Sequence, residues 1–306
     1  MSLVTYHSSL ATFFMMQFVK FQGFGNDYIV FESEHLAGVE SLNEFARAVC
    51  DRHYGAGADG IVVLGRAETE SADFIARIFN ADGSEAAISG NGTRCAAAYL
   101  HYRGLWSEEN LRLSTLAGLK LYRLRETIGQ GHYWFDSDLG QPRFASPAIP
   151  VLTDEPMERV VAYPLEVEGE TWKITVLSMG NPHCCIFVDD FDALDWRHLG
   201  RTIETHPRFP EKTNVTFIRV IDHARIELRI WERGVGETFS SGTCSCAAVV
   251  ASIINGVTKR SVCVETPGGR MKVEWREDGE VVLTGRADVV YRGEWSVFDP
   301  KGNYEW

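Results

Sequence analysis

Apolar and polar positions change period several times along this chain, and each change marks an element. Residues 16–24 alternate as a half-buried strand does and end in Gly23-Phe24-Gly25-Asn26-Asp27, after which 28–31 reads as a second strand. Residues 42–51 switch to helical spacing through Leu42, Phe45, Ala46 and Val49, with Ser41 set to cap the first turn and Glu44 completing a capping box. A glycine-rich turn, 52–60, precedes a buried strand at 61–64, and 74–79 is a further strand. Strands follow at 111–114 and 119–124, with a hairpin around Gly129-Gln130-Gly131. Pro142, Pro147, Pro150 and Pro156, with little periodicity between them, mark a linker. Beyond it, 166–177 supplies two strands across Glu168-Gly169, and Gly180-Asn181-Pro182-His183 precedes a strand at 184–188. A helix is predicted at 194–203, and strands at 215–220, 226–231, 261–265, 271–275 and 281–284.

The centre of the pattern occurs twice. Arg77-Ile78-Phe79-Asn80 matches Arg229-Ile230-Trp231-Glu232, and an offset of 152 residues also aligns Glu85 with Glu237, Ser89-Gly90 with Ser241-Gly242, and Gly104 with Gly256. In both copies a short apolar strand runs through a glycine-rich turn and a Ser-Gly pair into a helix of small residues, with Gly104 and Gly256 set as left-handed C-terminal caps. A repeat this long implies two related lobes and not a stacked solenoid. Many short strands around one central helix per lobe, without regular βαβ alternation, make the fold class α+β: two pseudo-symmetric lobes of duplicated topology. The expected division is a leader at 1–15, an N-terminal lobe at 16–140, a C-terminal lobe at 141–283 and a tail at 298–306. Residues 1–15 lack the basic start and long apolar stretch of a secretory signal, so an appended leader or an early start codon is expected there.

Composition narrows the function. The 306 residues are 45% hydrophobic and 24% charged, as in an ordinary globular protein, and the net charge of −12 argues against nucleic acid or an anionic membrane as partner. No apolar run is long enough for a transmembrane helix. The seven cysteines show neither a C-x-x-C pair nor zinc-type spacing, and Cys184 and Cys185 should face opposite sides of one strand. Free buried thiols in a reducing cytoplasm, with no metal site, are the plainer reading.

A helix N-terminus preceded by glycine offers free backbone N–H groups and a positive dipole end, and two such turns at matching places favour a carboxylate or phosphate site. Asn26, Asn80, Asn91, Asn181 and Asn214 all stand at turns or strand ends. Any one of them suits a turn; the five together with Glu232-Arg233 suit a zwitterionic amino acid, the guanidinium being a fork for a carboxylate. His183 is a candidate to orient or exchange a proton. Walker loops are absent, Gly23-Phe24-Gly25 and Gly55-Ala56-Gly57 are too short for a dinucleotide fingerprint, and no lysine has a pyridoxal phosphate setting, so a reaction without cofactor is inferred.

From 16 to about 297 the chain resembles the diaminopimelate epimerase family. The resemblance is carried by Gly23-Phe24-Gly25-Asn26-Asp27-Tyr28, Arg52-His53-Tyr54-Gly55-Ala56-Gly57, Phe79-Asn80-Ala81-Asp82-Gly83-Ser84-Glu85 and Gly90-Asn91-Gly92-Thr93-Arg94-Cys95. It continues through Met179-Gly180-Asn181-Pro182-His183, Arg208-Phe209-Pro210-Glu211-Lys212-Thr213-Asn214, Glu232-Arg233-Gly234-Val235-Gly236-Glu237-Thr238 and Pro267-Gly268-Gly269. What the resemblance implies is two lobes, each a barrel-like sheet around a central helix, with a final strand at 284–297 returning to the first lobe. It also implies inversion of one α-carbon of diaminopimelate without cofactor, in the lysine and peptidoglycan pathway. Substrate contacts would fall on Asn26, Asn80, Asn181, Asn214, Glu232 and Arg233, and the α-carboxylate between Gly90-Asn91 and Gly242-Thr243. Self-association into a homodimer is left open.

The family's two catalytic cysteines correspond here to Ser89 and Ser241. Inverting an α-carbon needs an acid on one face and a base on the other, both poised near neutral pH. A thiol has a pKa of about 8.5 and a helix N-terminus lowers it, whereas a serine hydroxyl needs a neighbouring base. Cys95 lies six residues beyond Ser89, and Cys244 stands where the family has glycine. Three readings follow: a serine subfamily helped by Glu232 or His183, a chain disabled at both positions, or a binding protein or an isomerase or dehydratase of another amino acid. Cys244 in place of glycine favours natural divergence.

Overall fold

The computed structural model describes residues 15–296. The expected tail and residues 1–14 lie outside the described residues, whereas Met15, assigned to the leader from sequence, opens the first strand and pairs with Ser296. The first half contains β1 (Met15–Gly23), β2 (Asn26–Glu32), α1 (Leu42–Cys50), β3 (Gly60–Arg66), β4 (Phe74–Asn80), β5 (Glu85–Ala86), α2 (Gly90–Tyr102), β6 (Asn110–Thr115), β7 (Gly118–Thr127) and β8 (His132–Asp138). The second contains β9 (Val160–Val167), β10 (Glu170–Ser178), β11 (Pro182–Phe187), α3 (Trp196–Glu204), β12 (Asn214–Asp222), β13 (Arg225–Glu232), β14 (Gly236–Thr238), α4 (Gly242–Ile254), β15 (Ser261–Thr266), β16 (Gly269–Trp275) and β17 (Val281–Ser296). α2 and α4 begin and end 152 residues apart, so the sequence repeat is kept to the residue.

Both halves pair their strands in the same order. In the first, β1–β2 is antiparallel, β2–β3 parallel, β3–β4 antiparallel, β4–β6 parallel, and β6–β7–β8 antiparallel. In the second, β10–β11, β11–β12, β12–β13, β13–β15 and β15–β16–β17 repeat that series. The two halves meet where β8 pairs with β17, from Asp138–Val282 to His132–Asp288. From Asp288 onward β17 crosses to β1 and closes an eight-stranded barrel around α2. The chain after β8 does the reciprocal thing: Arg143 and Ser178 exchange backbone hydrogen bonds of 2.9 Å, so the start of the proline-rich stretch is part of the second barrel and not only linker.

Each central helix is buried on all sides, and small residues predominate in it, although α2 also encloses Arg94 and Tyr99. Asn91 to Leu100 of α2 and Cys244 to Ser252 of α4 are all buried, a pattern for a helix threaded through a closed sheet and not laid on one. Around α2 pack Phe21, Tyr28, Val62, Leu113 and Phe135; around α4 pack Leu177, Ile218, Leu228, Val264 and Leu283. The outward positions of the same strands are covered by α1 through Phe45 and Val49, and by α3 through Trp196, Leu199 and Ile203. Period two therefore separates neighbours: Cys184 belongs to the outer layer and Cys185 to the inner one. Burial of each of Phe21, Phe79, Phe135 and Phe217, all fully enclosed, contributes about 1.5–3 kcal/mol. All seven cysteines are free thiols. Among the described residues no helix is long and apolar enough to cross a membrane.

The lobes touch at a backbone contact that leaves no room for a side chain. Phe24 and Gly25 both have left-handed φ, 58° and 87°, making a tight two-residue turn between β1 and β2. Gly268 packs on that turn: a β-carbon there would stand 2.1 Å from the Phe24 carbonyl oxygen, and its N–H donates to the Phe239 carbonyl at 2.9 Å. Gly268→Ala is predicted to force the lobes apart and destabilise the protein by about 1–3 kcal/mol. The check is the urea midpoint, and a midpoint equal to that of the unchanged protein would contradict the packing described.

Candidate active site

The two serines occupy equivalent backbone positions and different chemical settings. Ser89 is the N-cap of α2, with extended φ and ψ of −134° and 121°, and Ser241 is the N-cap of α4 at −142° and 126°. The Ser89 hydroxyl oxygen accepts the Gly92 N–H at 3.1 Å and the Tyr28 phenol at 2.8 Å. The Ser241 hydroxyl accepts no capping N–H from its helix; it lies close enough to the Glu232 carboxyl to favour the ionised form of that acid. Burial raises the Glu232 pKa, while the Thr238 hydroxyl, donating at 2.7 Å, and Ser241 oppose the rise.

The serines' helices converge. Gly90 and Gly242, the first residues of α2 and α4, line one cavity of about 30 Å³ between the lobes, together with Arg94, Tyr122 and Leu283. Thr243 follows Gly242 in the first turn of α4. Arg94 is a buried cation under this point: it donates to the Gly90 carbonyl at 3.3 Å, to the Arg286 carbonyl at 2.9 Å and to the Asn91 side chain, and its guanidinium lies 5.4 Å from the Phe24 ring centre. Among the described residues it has no carboxylate partner within an ion-pair distance. Positive charge and free N–H groups thus collect where the two helices start. A larger groove, about 420 Å³, lies elsewhere, among Phe18, Tyr102, Arg103 and Arg292, and holds none of the candidate residues.

Strand register explains which other residues come together. In the first lobe Tyr28, Gly60 and Asn80 form one row across β2, β3 and β4. In the second, His183 pairs with Asn214, one rung beyond Val215–Trp231, so His183, Asn214 and Glu232 form the matching row. Asn26 and Asn91 are joined at 3.1 Å, and Asn26 also donates to Asp59 at 2.7 Å. Asn214 is almost fully consumed by the backbone, donating to the Pro182 carbonyl at 2.9 Å and accepting the Arg233 N–H at 3.0 Å; it ties together the two turns that carry Asn181 and Arg233. The Arg233 side chain is exposed and spends one N–H on the Glu211 carbonyl; among the described residues the rest of its fork makes no hydrogen bond. Asn80 bonds Ser84 within its own turn.

His183 is enclosed, and its Nε2 lies 2.8 Å from Asn181 Oδ1, while Nδ1 is buried with no partner among the described residues. Burial, and then the nearby Arg233 charge, depress its pKa to about 3. At neutral pH it is therefore an uncharged imidazole that holds Asn181, which suits a positioning role better than that of a proton carrier. Asp59 and Tyr28 escaped the reading of the sequence. Asp59 anchors the Asn26 turn and, with Asp27, the exposed Arg52 at 2.7–2.8 Å. Burial raises the Asp27 pKa, but bonds from Arg52 and Lys20 outweigh it and hold the carboxyl at about 2. Tyr28 lies in an apolar strand, and its match to His183 emerges only from the strand register. Among the described residues no group of three His, Cys, Asp or Glu side chains could hold a metal ion.

Two closed barrels of one topology, each threaded by a central helix, with the first residues of both helices lining one cavity, define a duplicated α+β fold. The same fold occurs in the phenazine biosynthesis PhzF-family protein of Bacillus anthracis, at a TM-score of 0.64 and 17% identity over 92% of this chain and 99% of that one. The profile of the diaminopimelate epimerase family matches residues 18–144 and 175–290. A diaminopimelate epimerase of Pelotomaculum thermopropionicum is 44% identical over 92% of this chain and 99% of its own length, and one of a Cyanothece species 42% identical over 91% and 99%. The chain belongs to the diaminopimelate epimerase family.

A pH prediction follows from His183. Its folded pKa of about 3 lies below the ordinary 6.5, so between those pH values the unfolded chain binds more protons. The stability it confers is whole above about pH 6.5 and is lost as pH falls towards 3. His183→Gln should flatten the dependence of the urea midpoint on pH between 6.5 and 4. An equal slope in both proteins would show that His183 is not held neutral.

Proposed function

We propose that the protein inverts the α-carbon of diaminopimelate without a cofactor, with Ser89 and Ser241 as the groups on the two faces of that carbon. The observation that supports this most is that Ser89 and Ser241 hold matching N-cap positions on two helices whose first residues, Gly90 and Gly242, line one small cavity with the buried Arg94. A carboxylate held by those N–H groups would sit where the negative charge of a deprotonated α-carbon delocalises, which is where fixed donors help most. Glu232, buried beside Ser241, is suited to accept a proton through that hydroxyl, and Ser89, held by two donors, to give one. Asn26, Asn80, Asn91, Asn181 and Arg233 would then recognise the remaining amino and carboxylate groups. The cavity of about 30 Å³ is too small for an amino acid, so binding requires the turns around it to open locally. The seven free thiols fit a reducing cytoplasm.

Serine in place of thiol predicts slow chemistry on an intact binding site. In deuterium oxide the α-hydrogen of diaminopimelate should exchange slowly, by mass spectrometry, and Ser89→Ala or Ser241→Ala should each lower the rate by about 10²–10⁴-fold. The Ser89→Cys/Ser241→Cys protein should exchange orders of magnitude faster than the unchanged one. Absence of both exchange and diaminopimelate binding would refute the reading, and exchange that survives Ser89→Ala would move the proton to another residue.

A further inference from the structure

We propose that Tyr28 is a positioning residue for the proton step, its phenol orienting Ser89 as a donor into the cleft and holding the alkoxide left behind. This rests on the reading of Ser89 as a proton carrier. Tyr28 is buried, and its hydroxyl donates to the Ser89 oxygen at 2.8 Å while the Gly92 N–H donates to the same oxygen at 3.1 Å. An oxygen that already accepts two hydrogen bonds has its own proton left to point elsewhere, and the remaining direction is away from the helix. When the Ser89 O–H bond breaks and a C–H bond forms at the substrate, the charge stays on the serine oxygen, facing two donors and the positive end of α2. No further atom is needed for balance; the proton returns to Ser89 when the reaction runs in the other direction.

Three features single out Tyr28. It stands on the rung that His183 occupies in the second lobe, yet unlike His183, which is bonded to Asn181, it reaches its own lobe's N-cap serine. Gly92 leaves the space for it: a β-carbon at that position would lie 3.1 Å from Tyr28 Cε1 and 3.3 Å from the Ser89 β-carbon. The corresponding residue in α4 is Cys244, a buried side chain where the first lobe has none. Burial pushes the phenol well above its usual pKa, so it remains a donor across the working pH range.

The test uses Tyr28→Phe, which keeps the ring and removes the donor. Substrate α-hydrogen exchange should fall by about 10²–10³-fold, the loss known for one oxyanion donor, with diaminopimelate affinity unchanged. A second measurement does not depend on turnover: in the Ser89→Cys protein the alkylation rate with iodoacetamide is followed against pH, with and without Tyr28→Phe. The thiol midpoint should rise by about one unit when the phenol is removed, because a donor to the thiolate is lost. An unchanged midpoint overturns the proposal, even if exchange falls, since the fall would then reflect general damage. If the unchanged protein neither exchanges the α-hydrogen nor binds diaminopimelate, the reading of function fails, and the thiol midpoint alone decides whether Tyr28 tunes position 89.

Discussion

The β8–β17 ladder is the constraint on which both halves of the molecule depend. Neither barrel closes without the partner lobe's strand: β17 completes the first beyond Asp288, and the chain after β8 completes the second at Arg143. Because the same ladder serves both, the orientation of one barrel to the other is fixed by hydrogen bonds and not by a flexible linker. That is what directs two helix N-termini, 152 residues apart in sequence, at one point. The runs of small residues in α2 and α4, Ala96 to Ala98 and Cys246 to Ala248, are a consequence, since a barrel of eight strands leaves little room beside a helix.

At that point the balance of charge is unusual. Arg94 is enclosed without a carboxylate partner, and both helices add the positive ends of their dipoles. A buried unpaired cation is costly, and an anionic ligand relieves that cost. The family's thiols would add acidity to this setting, whereas serine leaves it to neighbours. On the proposed reading the two lobes would meet that need differently, since a carboxyl, Glu232, lies near Ser241 and a phenol, Tyr28, bonds Ser89. The symmetry of the backbone is kept while the symmetry of the chemistry is lost.

Much of this was legible from residues alone. The repeat gave both central helices and their glycine caps, Gly104 and Gly256, which have φ of 67° and 73°. The alternation of Cys184 and Cys185 gave the two faces of β11. The role of Arg143 was hidden because one bridge in a proline-rich stretch leaves no periodic trace. Tyr28 was hidden because a tyrosine in an apolar strand reads as core, and only register shows that its hydroxyl reaches a serine 61 residues away. Asn214 and His183 were recognised as polar residues at turns, but which of their atoms are already bonded to backbone or to Asn181 depends on side-chain geometry.

The central claim is that the two N-cap serines address opposite faces of one α-carbon. A crystal structure of the protein with diaminopimelate bound tests it most directly. The account predicts the α-carboxylate on the first-turn N–H groups of α2 and α4, with the α-carbon between the hydroxyls of Ser89 and Ser241. Ligand bound with its α-carbon outside the reach of either serine, or in the groove beside Tyr102, Arg103 and Arg292, would contradict it.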